Sequence, residues 1–183
     1  MTSVPEFSFS HMGIFVTVPA RMEDFYTRVL GFAVTDRGSL GSTSLIFLSR
    51  DPQEHHQIVL AAGRPSAAGF NPINQMSFRM ADFAGLREMH RRLEREGVQD
   101  LAPVSHGNAL SIYFKDPEGN RIELFVDTPW YVQQPLRIPM DMKLPDAEIW
   151  KWAEREARKQ PGFKPVEEWR SALKSKLNSG TEP

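Results

Sequence analysis

A chain of 183 residues that is 40% hydrophobic can bury a full core, and its length fits one domain or one domain plus an appendage. Its 22 Lys+Arg against 23 Asp+Glu leave a net charge of −1, which excludes a whole-chain field drawing it to nucleic acid or to an anionic membrane and leaves small molecules or copies of itself as partners. With no cysteine it has neither a disulfide framework nor a thiolate metal site, so any metal must sit on His, carboxylate or amide ligands.

In chain order, residues 1–6 show no basic stretch followed by an apolar one, and no apolar run anywhere approaches the roughly 18 residues of a membrane span. The expected location is the cytoplasm. The run Met12-Gly13-Ile14-Phe15-Val16 predicts a first strand, and Met22, Phe25, Tyr26, Val29 and Leu30 fall at helical spacing up to Gly31. Leu45–Leu48 and Gln57–Ala61 predict two more strands. Gly63, Pro65, Ser66, Gly69 and Pro72 mark a linker. Near Ile73 the pattern restarts: Met76-Ser77-Phe78 as a strand, then Leu86, Met89, His90 and Leu93 as a helix closed by Gly97, then strands at Leu110–Phe114 and Arg121–Val126.

Matching features recur at nearly constant spacing. His11 to Gln75 is 64 residues, Asp51 to Asp116 is 65 and Gly31 to Gly97 is 66, which argues for an internal duplication. Both Asp-Pro pairs predict turns between the last two strands of a module, and Asp116-Pro-Glu-Gly-Asn120 has the residues a tight turn prefers. The expected fold class is α+β: two tandem βαβββ modules forming a cupped mixed sheet around a central cleft, plus a C-terminal helical tail. The expected boundaries are a core of 1–134 (module one 8–62, linker 63–72, module two 73–127) and an extension of 135–183. In that extension Pro135, Pro139 and Pro145 precede a helical pattern through Ile149, Trp150, Ala153 and Ala157, and a second short helix spans Pro165 to Leu177. The tail either packs on the helical side of the sheet or on a neighbouring subunit, or closes over the cleft through Trp130 and Tyr131. The last residues, Asn-Ser-Gly-Thr-Glu-Pro, are expected to fray.

Strand alternation decides which polar groups look into the cup. Glu123 shares a face with Phe125, opposite Ile122, Leu124 and Val126; Tyr113 lies with Ser111; His11 lies with Gly13 and Phe15. A carboxylate inside an apolar strand needs a cation, a hydrogen-bond network or water. Paired with His11, Glu123 points to a divalent metal. His55 is expected on the face opposite His56, in a solvated or supporting role. His90 is expected to hold a surface or packing role on its helix, and the arginines of 87–95 read as a solvated helix face. His106 either lines the pocket or sits on an exposed loop. No Walker or dinucleotide glycine signature is present.

The opening Ser10-His11-Met12-Gly13-Ile14, the helix end Tyr26-Thr-Arg-Val-Leu-Gly31 and the stretch Ile112-Tyr-Phe-Lys-Asp-Pro-Glu-Gly-Asn-Arg-Ile-Glu-Leu-Phe125 resemble the vicinal oxygen chelate superfamily, over roughly residues 8–134. That superfamily includes glyoxalase I, bleomycin-resistance proteins, fosfomycin-resistance enzymes and type I extradiol dioxygenases. Asp51-Pro-Gln-Glu-His55-His56-Gln-Ile-Val-Leu60, with Tyr113 ten residues before Glu123, is most similar to the extradiol dioxygenases. The resemblance implies an enzyme in which His11 and Glu123 bind iron(II), His56 works as acid/base, Tyr113 hydrogen-bonds the substrate oxygen and His106 lines the pocket. Two imidazoles and one carboxylate on one face leave adjacent positions for a bidentate catecholate and O₂.

One position departs from the family pattern. Where a second metal-binding histidine is expected the chain has Gln75, whose carboxamide is a neutral and weaker donor. A metal set of His11, Gln75 and Glu123 follows, with Fe(II) expected and Mn(II), Zn(II) or Ni(II) as alternatives. The expected function is a metal-dependent dioxygenase cleaving a catechol-like aromatic, acting as a homodimer or higher homo-oligomer. The alternatives are a redox-neutral isomerase or lyase of the glyoxalase or fosfomycin-resistance type, some glyoxalases using a glutamine ligand, and a non-catalytic aromatic-ligand-binding protein like the bleomycin-resistance members.

Overall fold

In the computed structural model, which describes residues 8–67 and 69–178, the chain is a mixed α+β protein with a four-stranded sheet in the first repeat, a five-stranded sheet built on the second and a two-stranded pair in the tail. The expectation for residues 1–6 lies outside the described residues, as does that for the C-terminal end beyond Asn178. Contacts cluster into two units: residues 8–75 with 115–121, and residues 76–114 with 122–178.

The first unit holds β1 (Met12–Val16), α1 (Pro19–Asp24), β2 (Ala33–Leu40), β3 (Thr43–Ser49) and β4 (Ile58–Ala62), with sheet order β1-β4-β3-β2. β1 runs parallel to β4, pairing Ile14 with Leu60, and the other pairings are antiparallel. Ile14, Val16, Ile58 and Leu60 are buried, as the alternation required. The helix predicted to run unbroken to Leu30 instead widens after Asp24 into a π turn over Phe25–Val29. There the Leu30 N–H reaches back to the Phe25 carbonyl at 3.2 Å, while Thr27 Oγ1 bonds the Glu23 carbonyl at 2.8 Å. The extra residue in the turn lets Phe25, Tyr26 and Val29 all face inward.

The second unit repeats this plan with β5 (Met76–Arg79), α2 (Phe83–Glu96), β6 (Ala102–Ser105), β7 (Ala109–Lys115) and β8 (Arg121–Asp127). β5 runs parallel to β8, and the order β5-β8-β7-β6 matches β1-β4-β3-β2, the topology a duplication demands. Asp82 caps α2 by accepting from the Gly85 N–H at 2.8 Å, and Gly97 at φ 61° ends it.

Sequence patterning located six of these eight strands. It missed β2, which is almost wholly exposed and carries no alternating apolar face, and β6, whose four residues include Pro103.

The tail joins the second unit. β10 (Ile138–Pro139) pairs with β6, β9 (Trp130–Tyr131) pairs with β11 (Lys164–Pro165), and α3 (Asp146–Arg158) and α4 (Val166–Asn178) occupy the two predicted helical stretches. α3 buries Ile149, Ala153 and Ala157, and Trp150 meets Phe83 of α2 at 5.7 Å between ring centroids. Arg87 of α2 donates to the carbonyls of Met142 and Leu144 at 2.6 and 2.8 Å. The solvated-face expectation therefore fails for Arg87, because its guanidinium ties the tail to α2. Trp130 is buried against Trp150 and Phe163, its indole N–H on the Gly107 carbonyl at 2.6 Å, so packing takes the residue proposed for closure.

Tyr26 of the first unit is fully buried and donates its hydroxyl to Asp116 Oδ2 at 3.4 Å. Burial, and then the Asp116 charge, hold its pKa well above the ordinary value of 10.0. The unfolded chain releases this proton near pH 10 and the folded chain keeps it, so stability falls as pH rises past 10. Denaturant titrations from pH 9 to 11 are expected to show a steeper decline for the wild type than for Tyr26→Phe. Equal slopes would refute the assignment.

Candidate active site

Two polar clusters form, one in each unit. In the first, parallel pairing of β1 with β4 sets the Met12 N–H on the Gln57 carbonyl at 3.1 Å, which brings His11 beside the residues leading into β4. The His11 and His56 rings lie 4.3 Å apart. His11 is exposed and shares its open face with Gly13 and Phe15, as alternation predicted. Phe47 of β3 contacts His56 edge-on at 5.2 Å, and Ser10 Oγ lies 3.3 Å from both His11 Nδ1 and Glu54 Oε2.

His55 corrects one expectation. It does not face away from His56: the two Nδ1 atoms are 2.9 Å apart. Strand alternation does not apply there, because β4 starts only at Ile58. Partial burial, followed by the charges of His11 and His55, lowers the His56 pKa against an opposing pull from Glu54. The shift favours the neutral imidazole of His56.

In the second unit the parallel β5/β8 register sets Ser77 opposite Glu123, and Ser77 Oγ donates to Glu123 Oε2 at 2.6 Å. Glu123 is 7% exposed, so its charge is largely shielded from water. His106 sits in the turn between β6 and β7, its N–H on the Ala109 carbonyl at 2.9 Å. Its Nδ1 lies 2.6 Å from the Leu136 carbonyl, which can only accept, so Nδ1 carries a proton. Nε2 then faces the Tyr113 hydroxyl at 3.0 Å and Glu123 Oε1 at 3.7 Å. The Arg137 guanidinium lies 5.5 Å from the Tyr113 ring centroid. His106 is therefore not a bare exposed loop residue.

Gln75 is half-buried and immediately precedes β5. Among the described residues no group of three or more His, Asp or Glu is gathered as a ligand set, and the expected third donor is the Gln75 amide, which is none of these. The donors fit a divalent ion in kind: the buried Glu123 carboxylate, oriented by Ser77, and imidazole nitrogens. His90 lies on α2 with Nδ1 3.4 Å from Glu94.

The sequence reading overlooked Ser77, Leu136 and Arg137. Ser77 was reachable, since a duplicated parallel first-to-last pairing sets it opposite Glu123. The other two belong to a proline-broken segment that gives no patterned signal.

The model of the family described as Glyoxalase/Bleomycin resistance protein/Dioxygenase superfamily matches residues 8–124. The chain belongs to that superfamily. Within it, the chain is 28% identical over 134 residues to biphenyl-2,3-diol 1,2-dioxygenase 2 of Rhodococcus globerulus, covering 69% of this chain and 65% of that protein. It is 29% identical over 111 residues to biphenyl-2,3-diol 1,2-dioxygenase 3 of the same organism, covering 58% and 56%. The chain thus spans less than two thirds of either curated relative. Among solved structures, a superfamily domain from Frankia sp. EAN1pec matches with TM-score 0.58 at 20% identity, covering 68% of this chain and all of that one. That likeness shows a shared fold. Among the described residues no helix is long and apolar enough to cross a membrane.

Proposed function

We propose that this superfamily member is a metal-dependent dioxygenase of the extradiol type that cleaves a catechol-like aromatic with O₂. The observation that carries the reading is the Tyr113 hydroxyl held on His106 Nε2 beside the buried Glu123 carboxylate. A polarised hydroxyl with a proton acceptor next to a metal-ligating carboxylate is what a vicinal diol needs for orientation and proton loss. The similarity to biphenyl-2,3-diol dioxygenases supports the same reading.

In this reading His11, Gln75 and Glu123 hold the ion, Fe(II) first, with Mn(II), Zn(II) or Ni(II) as alternatives. A bound divalent ion supplies neighbouring positions for the two diol oxygens and for O₂. His56, neutral at physiological pH, takes up a proton from the substrate. Tyr113 orients a substrate oxygen, and His106 fixes the direction in which that hydroxyl points. Phe15, 65% exposed on the His11 face, offers apolar surface to an aromatic ring.

Gln75 favours one second reading, a redox-neutral isomerase or lyase of the glyoxalase type, because its neutral, oxygen-only carboxamide is a weaker donor for Fe(II) than the imidazole it replaces.

The test is anaerobic loading with Fe(II), then a panel of catechols and O₂, followed by the visible absorbance of ring-opened product. Turnover with Fe(II) is the expected result. Silence across the panel removes the dioxygenase reading, and turnover of a redox-neutral substrate with Zn(II), Ni(II) or Mn(II) installs the second one. Gln75→His is expected to tighten Fe(II) binding; unchanged affinity removes Gln75 from the ligand set.

A further inference from the structure

We propose that His106 is itself a metal ligand, supplying beside Glu123 the imidazole nitrogen that the chain lacks at Gln75. The inference rests on the metal reading above and goes beyond it, since that reading gives His106 only the direction of the Tyr113 hydroxyl.

Of the two histidines in the unit that carries Glu123, His106 approaches the carboxylate and His90 pairs with Glu94. Its Nε2 lies 3.7 Å from Glu123 Oε1. Two donors on one ion at bond lengths of about 2.0–2.2 Å stand roughly 3.0–3.6 Å apart, so a shift of a few tenths of an ångström lets both bind. The tautomer is already the required one. Donation of Nδ1–H to the Leu136 carbonyl leaves the Nε2 lone pair on the side of Glu123, and metal-bound histidines are commonly oriented by such an outer hydrogen bond.

The ring is also held in place. Gln134 Nε2 donates to the His106 carbonyl at 2.7 Å, and the adjacent Gly107 carbonyl is anchored by Thr128 Oγ1 at 2.8 Å and by the Trp130 indole. Glu123 is oriented in the same manner by Ser77. These supports come from Ser77 on β5, from Thr128 and Trp130 at β9, and from Gln134 and Leu136 after it.

The rival is a metal-free arrangement in which His106 only accepts from Tyr113 or, when protonated, pairs with Glu123. Under the proposal the Tyr113–His106 bond belongs to the metal-free protein; with an ion present the Nε2 lone pair would turn to it, and a substrate oxygen would take over the orientation of the Tyr113 hydroxyl.

The experiment measures Mn(II) and Zn(II) affinity of the full chain by calorimetry, and counts imidazole nitrogens by pulsed EPR of the Cu(II)-loaded protein. The expected results are at least about a 100-fold weaker affinity in His106→Gln and the loss of one imidazole coupling. Tyr113→Phe, which removes only the competing hydroxyl, is expected to bind at least as tightly as wild type. Should His106→Gln fail to fold, nitrogen-15 histidine spectra of the wild type during Zn(II) addition decide, because Nε2 of His106 must move. Wild-type affinity and coupling in His106→Gln, or an unmoved Nε2, overturn the proposal while leaving the metal reading intact. Absence of any ion binding overturns both.

Discussion

Replacing Glu118 with alanine is expected to lower the unfolding free energy by about 3 kcal/mol and the thermal midpoint by roughly 6–12 °C. α1 begins after Val18, which has no side-chain oxygen to cap it. The Glu118 carboxylate instead pins the two residues that lead into the helix, from a hundred residues away. It accepts from the Thr17 N–H at 2.8 and 2.9 Å, one bond to each oxygen, and from the Val18 N–H at 2.8 Å. Its side chain is only 8% exposed, with the Arg64 guanidinium 3.7 Å away. Each bond to a charged acceptor contributes about 1.5–3 kcal/mol, and water reaching the exposed Thr17 and Val18 after truncation offsets part of the loss. Glu118→Gln keeps one acceptor and is expected to lose about half as much. Chemical denaturation checks both, and a Glu118→Ala variant within 0.5 kcal/mol or so of wild type would show the bonds to be replaceable by water.

The second large effect is expected at Gly107, where alanine should cost about 3 kcal/mol. Gly107 has φ 75°, a region disfavoured for a residue with a Cβ by roughly 1–2 kcal/mol. In addition, a Cβ there would overlap Val132 Cγ2 and stand 3.1 Å from Leu136 Cδ2. Val132 is fully buried, so the overlap is relieved only by moving the segment that carries the Leu136 carbonyl. Gly107→Asn separates the two causes, since asparagine tolerates positive φ but brings the same Cβ. It is expected to be destabilised nearly as much as alanine. Wild-type stability in Gly107→Asn would assign the cost to backbone strain alone. Because the Leu136 carbonyl sets the His106 tautomer, Gly107→Ala is also expected to disturb His106 in histidine nitrogen-15 spectra before the chain unfolds.

Much of the fold was legible because each repeat writes its burial into a period. Ile14 and Val16, Ile58 and Leu60, and Ile122, Leu124 and Val126 alternate and are buried, while His11, Phe15 and Glu123 fall on the other faces. The strands that escaped notice have no such period: β2 lies almost wholly in water, and β6 is short and contains Pro103. His55 was misplaced for a related reason, since alternation was applied to a loop. The turn Asp116–Asn120 was recognised from its residues, and Asp116 Oδ1 does accept from the Glu118 and Asn120 N–H groups at 2.9 Å each.

By itself the sequence determined the duplication, the α+β class, the two tail helices and the residue types available to a site, because these follow from local periodicity, turn chemistry and the absence of cysteine. It also named Glu123, His106 and Tyr113 as chemistry-bearing residues. Only the tertiary structure decided their partners: Ser77 on Glu123 through a parallel register, the Leu136 carbonyl on His106, and Glu118 on the bare start of α1. Those contacts join residues up to a hundred positions apart. No local pattern encodes them, since they exist only once distant backbone groups are brought within hydrogen-bonding distance.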